Sequence, residues 1–167
     1  MAELFFEKIE MGDYNKIKEL SDFATNIVRE HFNSIIGEKQ NEYMIHKFQS
    51  EQAITDQINR GYQYYFVYNM QKEKIGFLAF YTRNDEMFLS KFYLEKHSRN
   101  NGFSKKMLNF VIDHTRQEGL GKIVLTVNRN NSATFAYEHL GFVKTGEQKC
   151  DIGNGFVMDD YVYEYIV

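Results

Sequence analysis

Up to about residue 60, apolar residues recur every three or four positions, whereas beyond residue 62 they cluster and alternate as strands do. Ile17, Leu20, Phe23, Ala24, Ile27, Val28 and Phe32 form one face of a predicted helix, with Asp13 as its N-cap and Gly37 as its close. A second helical stretch is expected over residues 41–60, broken near Ser50 and stopped at Gly61, a residue suited to the left-handed position after a helix. A short strand at 4–9 precedes both. Residues 62–68, 75–81 and 87–94 are rich in aromatic and β-branched side chains and are separated by polar turns at 71–73 and 84–85. They read as three consecutive antiparallel strands.

The helical period returns at 105–116, where Met107, Leu108, Val111 and Ile112 share a face, and Gly119 and Gly121 stop it before the strand 123–127. Strand, helix and strand in that order form a βαβ unit, which implies parallel pairing. A short helix at 132–140 ends at Gly141, and Phe142 and Val143 open a closing hairpin with Asn154-Gly155, the strongest two-residue turn signal in the chain. The element order is β-α-α-β-β-β-α-β-α-β-β.

Composition narrows the function. The 167 residues are 43% apolar, enough for one domain over 1–167 with a sizeable core, and no proline or repeat divides them. The net charge of −3 is spread along the chain, so the one-sided basic field of a nucleic-acid binder is missing. The aromatic run 62–68 is read as sheet core, because no basic residue interleaves as a base-stacking surface requires. Cys150 is the single cysteine, which excludes an intrachain disulfide and leaves no Cys-x-x-Cys pair for zinc. His31, His46, His97, His114 and His139 show no ligand spacing either, so no metal is expected. Residues 1–7 lack a basic stretch followed by an apolar one, and no apolar run reaches membrane-spanning length. A soluble cytoplasmic protein with neither a nucleic-acid nor a membrane partner is the expectation.

The chemistry concentrates in two segments. In the first, the strand ending at Leu94 runs through a polar loop, Arg99-Asn100-Asn101-Gly102-Phe103-Ser104, straight into a helix. Free N–H groups in a first helical turn and the helix dipole attract anions, and a glycine lets phosphate approach the backbone. By itself this is equally an ordinary turn containing a glycine. The second segment is Asn130 to Phe142. Arg99-x-x-Gly102-x-Ser104 resembles the (Arg/Gln)-x-x-Gly-x-(Gly/Ala) pyrophosphate loop of GNAT acetyltransferases, and Asn130-x-x-Ala133-x-x-x-Tyr137-x-x-x-Gly141-Phe142 resembles their second cofactor motif. The element order agrees with that fold over nearly the full length.

The resemblance implies an α/β GNAT fold, a mixed sheet of about seven strands flanked by about four helices, and an acetyl-CoA-dependent N-acetyltransferase. It places the pantetheine arm of acetyl-CoA on the backbone of Phe92, Tyr93 and Leu94, in a bulged strand that splays from its neighbour. It further places the pyrophosphate on the backbone from Arg99 through Asn100, Asn101, Gly102 and Phe103 to Ser104, with Asn130 and Ala133 also at the cofactor. Tyr137 matches the family's general acid, which protonates the departing thiolate; a phenol of pKa about 10 and a thiol of about 8.5 lie close enough for this. Without the motif, a helical tyrosine beside Phe135 and Leu140 is more often packing.

This sequence departs from the family pattern at Ser104, at Asn100 and at Ser90, where polyamine-acetylating relatives often carry a glutamate. The general base is therefore open among Asp159, Asp160, Glu51 and solvent-relayed water. A small-molecule amine is the expected partner, a small amine or polyamine, with Asp159 and Asp160 of the closing hairpin as candidate contacts; the alternative is that these carboxylates, with Asp151, only decorate a solvated turn. Lys105 and Lys106 either attract the phosphates of CoA or solubilise a helix surface. The family is often homodimeric, and a CoA-binding, catalytically weak sensor or partner protein is the runner-up to an enzyme.

Overall fold

The structure, a computed structural model, describes residues 3–167. Strand β1 (Phe5–Lys8) leads into α1 (Tyr14–Ile36), which starts where the Asp13 carboxylate accepts from the Lys16 N–H at 3.1 Å. The expected second helix is two helices, α2 (Glu38–Gln49) and α3 (Glu51–Asn59), because the Ser50 hydroxyl caps a fresh N-terminus by accepting from the Ala53 N–H at 3.1 Å. Three antiparallel strands follow, β2 (Gln63–Tyr68), β3 (Lys74–Arg83) and β4 (Glu86–Leu94). A single 3-10 turn at Lys96–Ser98 precedes α4 (Phe103–Gln117), and β5 (Lys122–Asn128), α5 (Ala133–Leu140), β6 (Val143–Gly153) and β7 (Phe156–Ile166) complete the chain. Five α-helices thus stand where about four were expected, and the strand order along the chain is as read.

The seven strands form one sheet in the order β1-β2-β3-β4-β5-β7-β6, in which only β4 and β5 run parallel. Two cores lie on its opposite faces. Ile17, Leu20 and Ala24 of α1 and Ile54 of α3 pack on Phe66 and Phe77, while Met107, Leu108 and Val111 of α4 pack on Leu78, Ile123 and Leu125. Each buried apolar side chain of this size stabilises the fold by roughly 1.5–3 kcal/mol.

Two irregularities in the sheet create the site. Pairing of β4 with β5 is confined to Met87 opposite Ile123 and Phe88 opposite Val124, after which the strands part. On its other edge β5 stays paired with β7 from Lys122 opposite Ile166 to Asn128 opposite Asp160. Within β4, Leu89 faces Phe80 and Lys91 faces Ala79, so Ser90 has no partner and forms a bulge. A bulge cancels one step of strand alternation. Leu89 and Phe92 therefore pack toward α4, whereas Lys91 and Tyr93 turn to the α1–α3 face. Gly76 beside this region is obligatory, because a Cβ there would lie 2.3 Å from the carbonyl oxygen of Tyr93.

Candidate active site

Where β4 and β5 part, a cavity of about 710 Å³ opens across the sheet, bounded by the α4–α5 side on one face and by α1, α2 and the β6–β7 hairpin on the other. Phe92, Tyr93 and Leu94 line it from β4, and Leu125, Thr126 and Val127 from β5. Their facing edges have no strand partner in each other, so backbone N–H and C=O groups are available to a ligand lying between them.

The loop before α4 forms one end. Asn100 (φ 66°) and Gly102 (φ 75°) both hold left-handed backbone, and Gly102 is the N-cap of α4 without a side-chain capping bond. Conformation is what demands glycine here, since an added Cβ would meet no protein atom within 4 Å. The first N–H groups of α4 therefore point outward uncapped. Arg99, Asn100 and Ser104 line the cavity, whereas Phe103 packs against the α4 core and Asn101 turns its side-chain amide to the Arg99 carbonyl at 3.2 Å. Lys105 is exposed and Lys106 half-buried.

The Arg99 guanidinium has a structural task. Its Nε donates to the Leu94 carbonyl at 3.1 Å and its terminal nitrogens reach the Glu30 carboxylate at 3.1 and 3.4 Å. One residue further along α1, the His31 ring bonds Asn131 Oδ1 at 3.1 Å, and that oxygen also accepts from the Ala133 N–H at 2.9 Å. The backbone donor fixes Oδ1 as the acceptor, so His31 Nε2 carries the hydrogen and Nδ1 keeps the free lone pair. Burial, then Arg99, holds the His31 pKa below its ordinary value, which keeps the ring neutral. Helix α1 thereby fastens both expected cofactor segments, the Arg99 loop and the start of α5. Asn131 and Ser132 line the cavity together with Ala133, whereas Asn130 is exposed outside it, its N–H bonded to Asn128 Oδ1 at 2.9 Å.

Tyr137 and Asp160 are two of the titratable groups that line the opening. The Tyr137 ring lies 6.2 Å from that of Phe92 and 5.8 Å from that of Phe142, and burial, then Tyr93, pushes its phenol well above the ordinary value. It is protonated at any physiological pH and is therefore a donor. Asp160, only 3% exposed, faces the cavity from β7, and burial, then the neighbouring Asp159, raises its carboxyl to about 6. Tyr93 lines the same opening, and burial, then Asp160, takes its phenol to about 12.

The other carboxylates considered have different positions. Asp159 pairs with Arg129 at 2.7 Å, Asp151 Oδ1 accepts from the Gly153 N–H at 2.8 Å in the hairpin turn, and Glu51 lies exposed in the first turn of α3. Strand alternation separates Asp159 from Asp160. Ser90 lines the cavity beside Tyr62, whose ring stacks on Tyr81 at 4.3 Å. Sequence reasoning missed Lys91, fully buried on the same side: its ammonium donates to the Phe48 carbonyl at 2.6 Å, Gln49 Oε1 at 2.9 Å, Gln57 Oε1 at 3.3 Å and the Tyr64 hydroxyl. Burial pulls its pKa to about 7. The resemblance implied a bulge in this strand but not its position, so the sequence did not show that Lys91 and Ser90 share a face.

The family model described as an acetyltransferase (GNAT) domain matches residues 32–162, which include every residue that lines this cavity except Val28 and His31 of α1. The chain belongs to the GNAT acetyltransferase family. Acetyl-CoA is accordingly the co-substrate, and the opening fits it: two unpaired strand edges for an extended arm end at an uncapped helix N-terminus for phosphate. Solved GNAT structures share the fold. The PaiA N-acetyltransferase of Thermoplasma acidophilum in complex with coenzyme A is 17% identical, with TM-score 0.73 over 99% of both chains. A GCN5-related N-acetyltransferase of Rhodopseudomonas palustris is 11% identical, with TM-score 0.77 over 98% of this chain and 95% of that one. Spermidine N-acetyltransferase of Vibrio cholerae in complex with CoA and spermine is 21% identical, with TM-score 0.66 over 98% and 95%. No curated protein matches the chain by sequence. Among the described residues no helix is long and apolar enough to cross a membrane, and no cluster of three or more metal-ligating side chains occurs.

Proposed function

We propose that this GNAT enzyme acetylates a primary amine by direct attack on acetyl-CoA, with Tyr137 as the proton donor and Asp160 as the group that receives the amine and its proton. One observation carries the reading: the protonated Tyr137 phenol on α5 and the buried Asp160 carboxylate on β7 line one opening. Acetyl-CoA supplies the activated acyl group as a thioester.

The chain's own residues do the rest. The free edges of Phe92 to Leu94 and Leu125 to Val127 align the arm, and the turn from Asn100 to Ser104 takes the phosphates. Attack requires a neutral amine, whereas most primary amines are protonated at neutral pH. A carboxylate of pKa near 6 is ionised above that pH, attracts the ammonium and accepts its proton on the way to attack. As the tetrahedral adduct collapses and its C–S bond breaks, Tyr137 gives its proton to the departing sulfur and regains one from the nitrogen, which loses its second proton on becoming the amide. The thiol needs a donor more than an acid, so the position of the hydroxyl matters more than its acidity. Small amines and polyamines both satisfy this chemistry at the reacting nitrogen.

Release of CoA thiol from acetyl-CoA in the presence of an amine panel tests the reading, followed by mass spectrometry of the products. Turnover that collapses in both Tyr137→Phe and Asp160→Asn, with acetyl-CoA binding kept, supports the assignment. Binding of acetyl-CoA with no thiol released by any amine would instead favour a catalytically weak CoA-binding protein.

A further inference from the structure

The amine reaches Asp160 from the face covered by α1, α2 and the β6–β7 hairpin, and the walls there differ sharply from a site for a polycation. We infer that the acceptor is a monoamine with an apolar or aromatic body and that polyamines are poor substrates; the inference rests on the transferase reading above.

Charge is the first reason. Among the described residues that line the cavity Asp160 is the single carboxylate, and the remaining charged side chains are the cations Lys91 and Arg99. The Ser90 bulge is what swings Lys91 into this chamber, and its ammonium is held there by carbonyl, amide and hydroxyl oxygens with no anion to offset it. A second or third ammonium on the acceptor would lose its hydration and find no counter-charge. One ammonium has what it needs, the Asp160 carboxylate with tyrosine and phenylalanine faces around it.

Shape and polarity are the second reason. Phe32, Phe48, Tyr62, Tyr81 and Phe88 line the same side and offer ring faces and edges to an apolar body. The chamber is also stitched shut at its far side. From α2, Gln40 Nε2 donates to the Val157 carbonyl at 2.9 Å, and the Tyr43 hydroxyl and Lys47 ammonium donate to the Ile152 carbonyl at 2.6 and 3.1 Å. These bonds tie α2 to both strands of the closing hairpin.

The test measures binding apart from turnover. Wild-type protein saturated with CoA is titrated calorimetrically with phenethylamine and with spermidine, and kcat/KM for both is measured by thiol release from acetyl-CoA. Phenethylamine is expected to lead by at least about tenfold in each measurement, the scale of one unpaired charge in a binding site. Spermidine binding as tightly or more tightly, or phenethylamine failing to bind, overturns the inference and leaves the transferase reading standing if thiol is released. The preference appearing in binding with no thiol released by either amine sinks the transferase reading instead, while the chamber's selectivity stands. A Ser90→Glu variant, which adds a second carboxylate at the bulge, should move the spermidine-to-phenethylamine ratio upward by about tenfold; its acetyl-CoA thermal shift reports that the fold is retained, and an unmoved ratio in the folded variant counts against the charge argument.

Discussion

The two halves of the cavity are built from different materials. The cofactor half is backbone: parted strand edges, left-handed residues at Asn100 and Gly102, and the uncapped start of α4. The acceptor half is side chains, drawn from α1, α2, α3, β3, β4, β6 and β7 and from Tyr62 just before β2. Backbone donors recognise what every cosubstrate molecule shares, whereas side chains can be exchanged without disturbing the frame. The contrast teaches why one family keeps one cosubstrate and admits many acceptors.

Helix α1 crosses this division. Glu30 holds Arg99 and His31 holds Asn131, so the helix that walls the acceptor chamber also tightens both cofactor segments. Disturbing one half should be felt in the other, by amounts that depend on how each contact is made.

The largest effect expected is at the phenol. Tyr137→Phe removes only a hydroxyl and should lower kcat by roughly ten- to a thousandfold while leaving the dissociation constant for acetyl-CoA nearly intact, as for a lost general acid. Steady-state kinetics beside calorimetric binding check this, and wild-type turnover would remove Tyr137 from the mechanism.

The next largest is in the cofactor half. Saturation at about a hundred times the dissociation constant of acetyl-CoA should stabilise the fold by roughly 2.7 kcal/mol, read as a rise in Tm. Gly102→Val strains a φ of 75° and projects a side chain toward the phosphates, so most of that rise should vanish. An unchanged rise in a folded variant would sink the placement of the phosphates.

Asp160 comes third and works through pH. With the carboxylate as the required form, kcat/KM should climb as pH rises through about 6, and Asp160→Asn should abolish that limb. The folded pKa lies above the unfolded value of about 3.9, so protonation stabilises the fold; that contribution is complete below about pH 3.9 and is lost as pH rises through 6. Asp160→Asn should therefore gain about 1–3 kcal/mol over the wild type at pH 8 and less than that at pH 4. Urea melts at the two pH values measure the difference, and equal gains would show that Asp160 is solvated.

The smallest effect tests the bridge. Glu30 and Arg99 are each about a third exposed, with side-chain accessibilities of 38% and 30%, so their ion pair contributes at most about 1 kcal/mol. Glu30→Gln should weaken acetyl-CoA severalfold at low ionic strength and hardly at all in 0.5 M salt. His31→Phe, which breaks a half-buried hydrogen bond, should weaken it in a salt-independent way.

Sequence by itself determined the frame. Periods of 3.6 and 2 residues fixed which segments coil and which extend, glycine and asparagine marked the turns, and two short motifs pointed to the proposed cofactor half because they encode backbone shape, a local property. Even there the local reading reached its limit at Ser50, whose capping bond split one expected helix into two. What only the tertiary structure decided is the acceptor half. The resemblance implied a bulge in this strand, but its position at Ser90 appears only when β3 is laid beside β4, and that position puts Lys91 on the face of Ser90. Asp160 acquires its raised pKa from burial among strands and helices distant in the chain, and Asp159, one residue away, is tied to Arg129 instead. Burial and pairing are relations between segments, so no window of residues, however clear its period, carries them.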